Sequence, residues 1–169
     1  SGAVAPKRDQ TIPTHLSEPE IARLIESPST ADPLGRRDRA ILELFYASGL
    51  RLSELVGIDL EDLNLSGRMV RVMGKGGKER LLPFNQSALS ALRAWMADRA
   101  VILAERQARI DRRHARSTRP KRAPAPRGKP DANPLFLNAR GTRLTGRSID
   151  RMLRRYVATN DQLFDEIFA

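Results

Sequence analysis

Cysteine is absent from the 169 residues, which excludes a disulfide framework and any thiolate metal site. Histidine is nearly absent too. His15 and His114 are the only two, and no Asp, Glu and His grouping has metal-ligand spacing. Neither metal nor cofactor is therefore expected. Aromatic residues make up 5%, too few for the stacking surfaces that read single-stranded RNA, which weighs against a basic RNA-binding protein. No apolar run is long enough to span a bilayer and no signal-peptide pattern occurs, so a cytoplasmic protein with no membrane partner is expected. Acid is scarce: 20 Asp and Glu face 30 Lys and Arg, a formal charge of +10. That balance favours an anionic partner. Ten basic residues against Asp111 alone, a net +9, fall between positions 106 and 129. An argument from charge is thus an argument about that one segment.

What is present reads as one domain, mainly α with a small antiparallel β-sheet (α+β). After an extended lead-in over residues 1–16, Ser17-Glu-Pro-Glu20 is a helix start, with Ser17 as N-cap and Glu20 completing a capping box. Ile21, Leu24 and Ile25 form its apolar stripe. A loop follows to Pro33. From Gly35 a heavily apolar helix carries Ile41, Leu42, Leu44 and Phe45, and Gly49 suits its left-handed C-cap. Ser53 opens a short helix to Val56. Met69, Val70 and Val72, then Leu81 and Leu82, flank a glycine-rich hairpin turn, Gly74 to Lys78, and Pro83 ends the second strand. Asn85 or Ser87 caps a long helix with Leu89, Leu92, Trp95, Met96, Ile102 and Leu103, whose pattern fades near Arg106. Residues 110–134 are basic and proline-rich and are expected to be poorly ordered without a ligand. Leu135 to Leu137 and Thr142 to Leu144 look like a short strand pair. Thr145 or Gly146 caps a last helix with Ile149, Met152, Leu153, Tyr156 and Val157 on one face. Tyr46 and Tyr156, the only tyrosines, sit on apolar helix faces.

Arg51 stands between two leucines, where most chains keep a hydrophobe. Lys75 stands on a turn with glycines on both sides. Both residue types suit gripping a phosphate: a guanidinium stays charged and donates a fork of hydrogen bonds, and an ammonium is a mobile point charge. The glycine turn is not a nucleotide-binding loop. That pattern needs Gly-x-x-x-x-Gly-Lys-Ser/Thr between strand and helix, whereas here Glu79 follows the lysine and a second strand comes next.

Ala47-Ser-Gly-Leu-Arg-Leu-Ser-Glu-Leu55 and Gly74-Lys-Gly-Gly-Lys-Glu-Arg-Leu-Leu-Pro83, with a weaker match in Leu135-Phe-Leu-Asn138 and Gly141-Thr-Arg-Leu-Thr145, resemble the catalytic domain of tyrosine recombinases, the phage-integrase class. The resemblance runs from residue 12 to 158, with residues 106–134 as a basic Pro-rich insert and 159–169 as a tail unlike the family. It implies a catalytic-domain-like fold that is C-terminally incomplete. It also implies site-specific recombination by cutting and rejoining double-stranded DNA. In such enzymes a tyrosine forms a 3′-phosphotyrosyl link, arginines hold the scissile phosphate, and a hairpin lysine protonates the leaving 5′-oxygen. By that likeness Arg51 and Lys75 are catalytic. Glu54 either orients them or simply favours the first turn of its helix.

Lys78 and Arg80 are either backbone contacts or solvated strand charges. Arg112, Arg113, Arg116 and Arg119, in the insert, are expected DNA-backbone contacts; the alternative is a solvated loop without a role. No tyrosine or histidine here matches the family's nucleophile or second-half positions, so the chain as given is expected to bind DNA without cleaving it. The competing reading is a non-catalytic, DNA-binding remnant, self-associating or paired with a full-length recombinase. Leu163, Phe164, Ile167 and Phe168 would line a last helical turn, as an interaction peptide or as a non-native end.

Overall fold

Ser17 does what its position predicts. Its hydroxyl accepts from the Glu20 amide at 3.4 Å while the Glu20 carboxylate accepts from the Ser17 amide at 2.7 Å, and α1 (Glu18–Glu26) begins there. The computed structural model describes residues 17–117 and 133–160. The lead-in, Arg119 and the Leu163–Phe168 run lie outside these residues.

The second helix starts two residues earlier than the sequence pattern suggests. Asp32 accepts from the Gly35 amide at 2.8 Å and Pro33 takes the first position, giving α2 (Pro33–Ser48). Gly49 ends it at φ 63°, a left-handed conformation that a Cβ would strain. Next come α3 (Leu52–Val56), β1 (Leu63–Asn64), β2 (Met69–Met73) and β3 (Glu79–Pro83). The sheet runs β1-β2-β3, antiparallel throughout, with Val72 opposite Arg80 and Met73 opposite Glu79. The two-residue β1 was not anticipated from the sequence.

Asn85 caps α4 (Gln86–Arg116) by accepting from the Ala88 amide at 2.9 Å. This helix packs most extensively on α2, and together they hold the core: Ile41, Leu42 and Leu44 from α2, Leu92 and Trp95 from α4. Arg36 clamps the pair through a two-pronged bond to Asp98, at 2.6 and 2.8 Å. Trp95 donates to the Leu135 carbonyl at 2.9 Å and stacks on Phe136, drawing the later segment onto the core.

One expectation is corrected here. The helix pattern does not stop near Arg106, and residues 110–116 are helical, since α4 runs on to Arg116; residues 118–132 of the insert lie outside the described residues. Its last turns bury little, but Ala104, Glu105, Arg106, Gln107, Ala108 and Arg109 are nearly all strong helix formers. Arg106 and Arg109 also donate to the carbonyls of Gly141 and Arg140. The strand pair after the insert forms in short form: Leu137 and Arg143 make an antiparallel bridge, flanked by the Asn138 amide on the Thr142 carbonyl at 2.9 Å and the Leu144 amide on the Phe136 carbonyl at 3.0 Å. The outward-facing backbone of the same segment is engaged elsewhere. The Leu135 amide goes to Ile58, the Leu135 carbonyl to Trp95, and the Leu137 carbonyl to Arg37. Thr145 caps α5 (Gly146–Ala158), which buries Ile149, Met152 and Val157.

Candidate functional site

The loop between α2 and β1 is built on carboxylates. Arg51, not Ser53, is the residue that precedes the first turn of α3, and its amide donates to Glu54 Oε2 at 2.9 Å. Arg80, reaching from β3, donates through Nη2 to both Glu54 oxygens at 2.9 Å. The Glu54 side chain is only 4% exposed. It therefore sits as the buried acceptor between the start of α3 and the hairpin. Of its two readings it fulfils a structural one directly: it caps the helix. It touches Arg51 through the backbone, not through the guanidinium.

The same loop repeats the device. Asp62 accepts from Arg71 of β2, and Asp59 accepts from Arg143, whose guanidinium also reaches the carbonyls of Val56 and Ile58. Hydrogen bonding to Asp62 holds Arg71 above the ordinary arginine range. These pairs divide the local cations into two sets. Arg71, Arg80 and Arg143 are engaged in holding the loop. Arg51, Lys75 and Lys78 are exposed and, among the described residues, their side chains make no hydrogen bond or ion pair. An anion can approach the second set without breaking any internal pair.

Lys75 lies in the turn closed by the Gly74 amide on the Lys78 carbonyl at 2.7 Å. Gly76 and Gly77 take φ of 78° and 76°, open to glycine and strained for other residues. A strand rise of about 3.3 Å per residue sets Gly74 and Lys78 roughly 7 Å beyond the Val72–Arg80 pair. A cleft of about 450 Å³ lies between α3 and β2, lined by Glu54, Asp59, Asp62, Glu79 and Arg71 among others. Neither Arg51 nor Lys75 lines it, and its carboxylates make it a poor seat for a phosphate.

Elsewhere, Arg112, Arg113 and Arg116 stand exposed on the last turns of α4, while Arg106 and Arg109 are tied to the 138–142 turn. Sequence reading missed a second basic surface: α5 carries Arg147 and Arg151 on exposed positions opposite its buried face. Their helical spacing against Ile149 and Met152 was the available signal. Tyr156 is half-buried and donates to Asp38 at 2.6 Å. Tyr46, placed by the sequence on an apolar face, is 46% exposed because Phe45 takes the buried side of that turn. Among the described residues no grouping of His, Asp and Glu could hold a metal ion, and no helix is long and apolar enough to cross a membrane.

The sequence profile described as "Phage integrase family" matches residues 14–165. A tyrosine recombinase XerC from Myxococcus xanthus is 45% identical over 153 residues, covering 90% of this chain and 44% of that protein. Another, from Pelobacter propionicus, is 39% identical over 152 residues, covering 90% and 41%. The chain thus spans under half the length of the curated relatives it matches. Among solved structures, the XerA recombinase superposes with a TM-score of 0.56 at 26% identity, covering 88% of this chain and 43% of that one. The XerH recombinase bound to its difH substrate, in a pre-cleavage complex, gives 0.58 at 19% identity over 88% and 37%, a likeness of fold.

Proposed function

The chain belongs to the phage integrase family, and from that premise we propose that residues 12–158 form the first part of a catalytic domain that cuts and rejoins double-stranded DNA at specific sites. The observation that carries this reading is the division of cations at the α3–hairpin junction. Arg51 and Lys75, the two that match the family's motifs, are exposed and unspent, while their neighbours are locked in ion pairs. In this reading Arg51 holds non-bridging oxygens of the scissile phosphate and stabilises the charge that builds there. Lys75 delivers a proton to the leaving 5′-oxygen from a turn flexible enough to reach it. Glu54 fixes the helix start that presents Arg51. Lys78, Arg112, Arg113 and Arg116 contact the DNA backbone, and Arg147 and Arg151 add to that surface. No metal enters the chemistry, and the protein acts in the cytoplasm.

As given, the chain binds duplex DNA and leaves it uncut. The test is to measure duplex affinity against salt and to look for a covalent product on nicked duplex. Affinity falling linearly with log salt, with no adduct, is expected. Salt-independent binding would count against the basic surfaces, and a covalent adduct formed by this very chain would overturn its inactivity.

A further inference from the structure

We propose that Arg80 is a positioning residue: through Glu54 it tethers the β2–β3 hairpin, and with it Lys75, to the start of α3 where Arg51 stands. The proposal rests on the phosphate-gripping reading above and assigns Arg80 a place in it other than that of a DNA contact.

The geometry is economical. The Glu54 carboxylate is buried, and both its oxygens are spent: Oε1 on Arg80 Nη2, Oε2 on Arg80 Nη2 and the Arg51 amide, each at 2.9 Å. Arg80 sits opposite Val72, and two residues beyond that pair the hairpin closes with Gly74 on Lys78. Among the described residues no other hydrogen bond joins α3 to the hairpin. A glycine-rich turn has little to fix its direction by itself, since two of its residues lack side chains and occupy left-handed backbone. A charge-assisted bond to a buried acceptor, made just behind the turn, supplies that direction. The lysine then remains mobile at its tip while its base is held relative to Arg51. Arg80 is 47% exposed, so direct phosphate contact is the rival role to be separated.

The experiment combines hydrogen exchange on the DNA-free chain with a double-mutant cycle on duplex affinity, using Arg80→Met and Lys75→Ala. Because Arg80→Met leaves the buried Glu54 carboxylate without its cation, circular dichroism checks the fold and amides in α2 and α4 serve as the reference, so that only a rise beyond theirs counts. In the free chain, Arg80→Met is expected to speed exchange of the Gly74 amide and of the Arg51 amide roughly tenfold, the size of one broken charge-assisted bond. Unchanged exchange at both amides overturns the proposal whatever the DNA result. On DNA, each single variant is expected to weaken binding, and the double variant to bind no more weakly than Lys75→Ala alone. Additive losses overturn the proposal, because Arg80 would then act independently of Lys75. If Lys75→Ala leaves affinity unchanged while exchange rises in Arg80→Met, the tether stands and it is the phosphate role of Lys75 that falls.

Discussion

Asp38 is 1% exposed and serves three partners on two helices: Arg37 at 2.8 and 2.9 Å, Tyr156 at 2.6 Å and Arg155 at 3.4 Å. A buried carboxylate needs such company, since leaving it alone is costly. Burial first, and then the bond to Asp38, push the Tyr156 phenol up from 10.0 to about 12. The proton is held more tightly in the folded chain than in the unfolded one. Its stabilising contribution is therefore complete below about pH 10 and is lost as pH rises towards 12. Tyr156→Phe should cost about 1–2 kcal/mol at neutral pH and remove that loss between pH 10 and 12, as read from chemical denaturation across the range. Arg51 is the opposite kind of residue. Its side chain is exposed and holds nothing, so Arg51→Ala should change stability by no more than about 0.5 kcal/mol while weakening DNA binding. A large drop in the thermal midpoint would mean that the guanidinium is structural.

At the scale of elements, α4 is 31 residues, roughly 46 Å long, and its last turns project basic side chains past the core. Replacing Arg112, Arg113 and Arg116 together by Gln should leave the melting midpoint unchanged. It should also flatten the plot of log affinity against log salt, by up to about 0.9 for each phosphate that is no longer neutralised. An unaltered slope would reduce these arginines to a solvated face. The same helix shows where sequence reading succeeds and where it stops. Its start was legible, because Asn85 caps it through a bond only three residues away. Ser17, Gly49 and Thr145 were legible for the same reason, each being a local solution to unpaired backbone groups. Its end was not, because the partners that steady Arg106 and Arg109 lie 35 and 31 residues downstream. The strand pair near Leu137 was legible too, but not the bonds that its outer edge makes to Ile58, Trp95 and Arg37, which exist only once the chain is folded.

For the molecule as a whole, the motifs around Arg51 and Lys75 were readable as motifs, but not the division of labour among their neighbours. Arg80 read equally as a DNA-backbone contact or a solvated strand charge, and its acceptor lies 26 residues away in sequence. The fold turns a cluster of like cations into a locked set and an available set, and the proposed chemistry draws only on the latter. The most direct test uses a longer chain that carries the nucleophilic tyrosine. Phosphotyrosyl formation is measured on duplexes whose scissile 5′-bridging atom is either oxygen or sulfur. A thiolate leaves without needing a proton. Lys75→Ala is predicted to lose about 10²- to 10⁴-fold on the oxygen substrate and to recover on sulfur, whereas Arg51→Ala stays slow on both. A Lys75→Ala variant that cleaves the oxygen substrate at the parent rate, or that sulfur does not restore, would contradict the account.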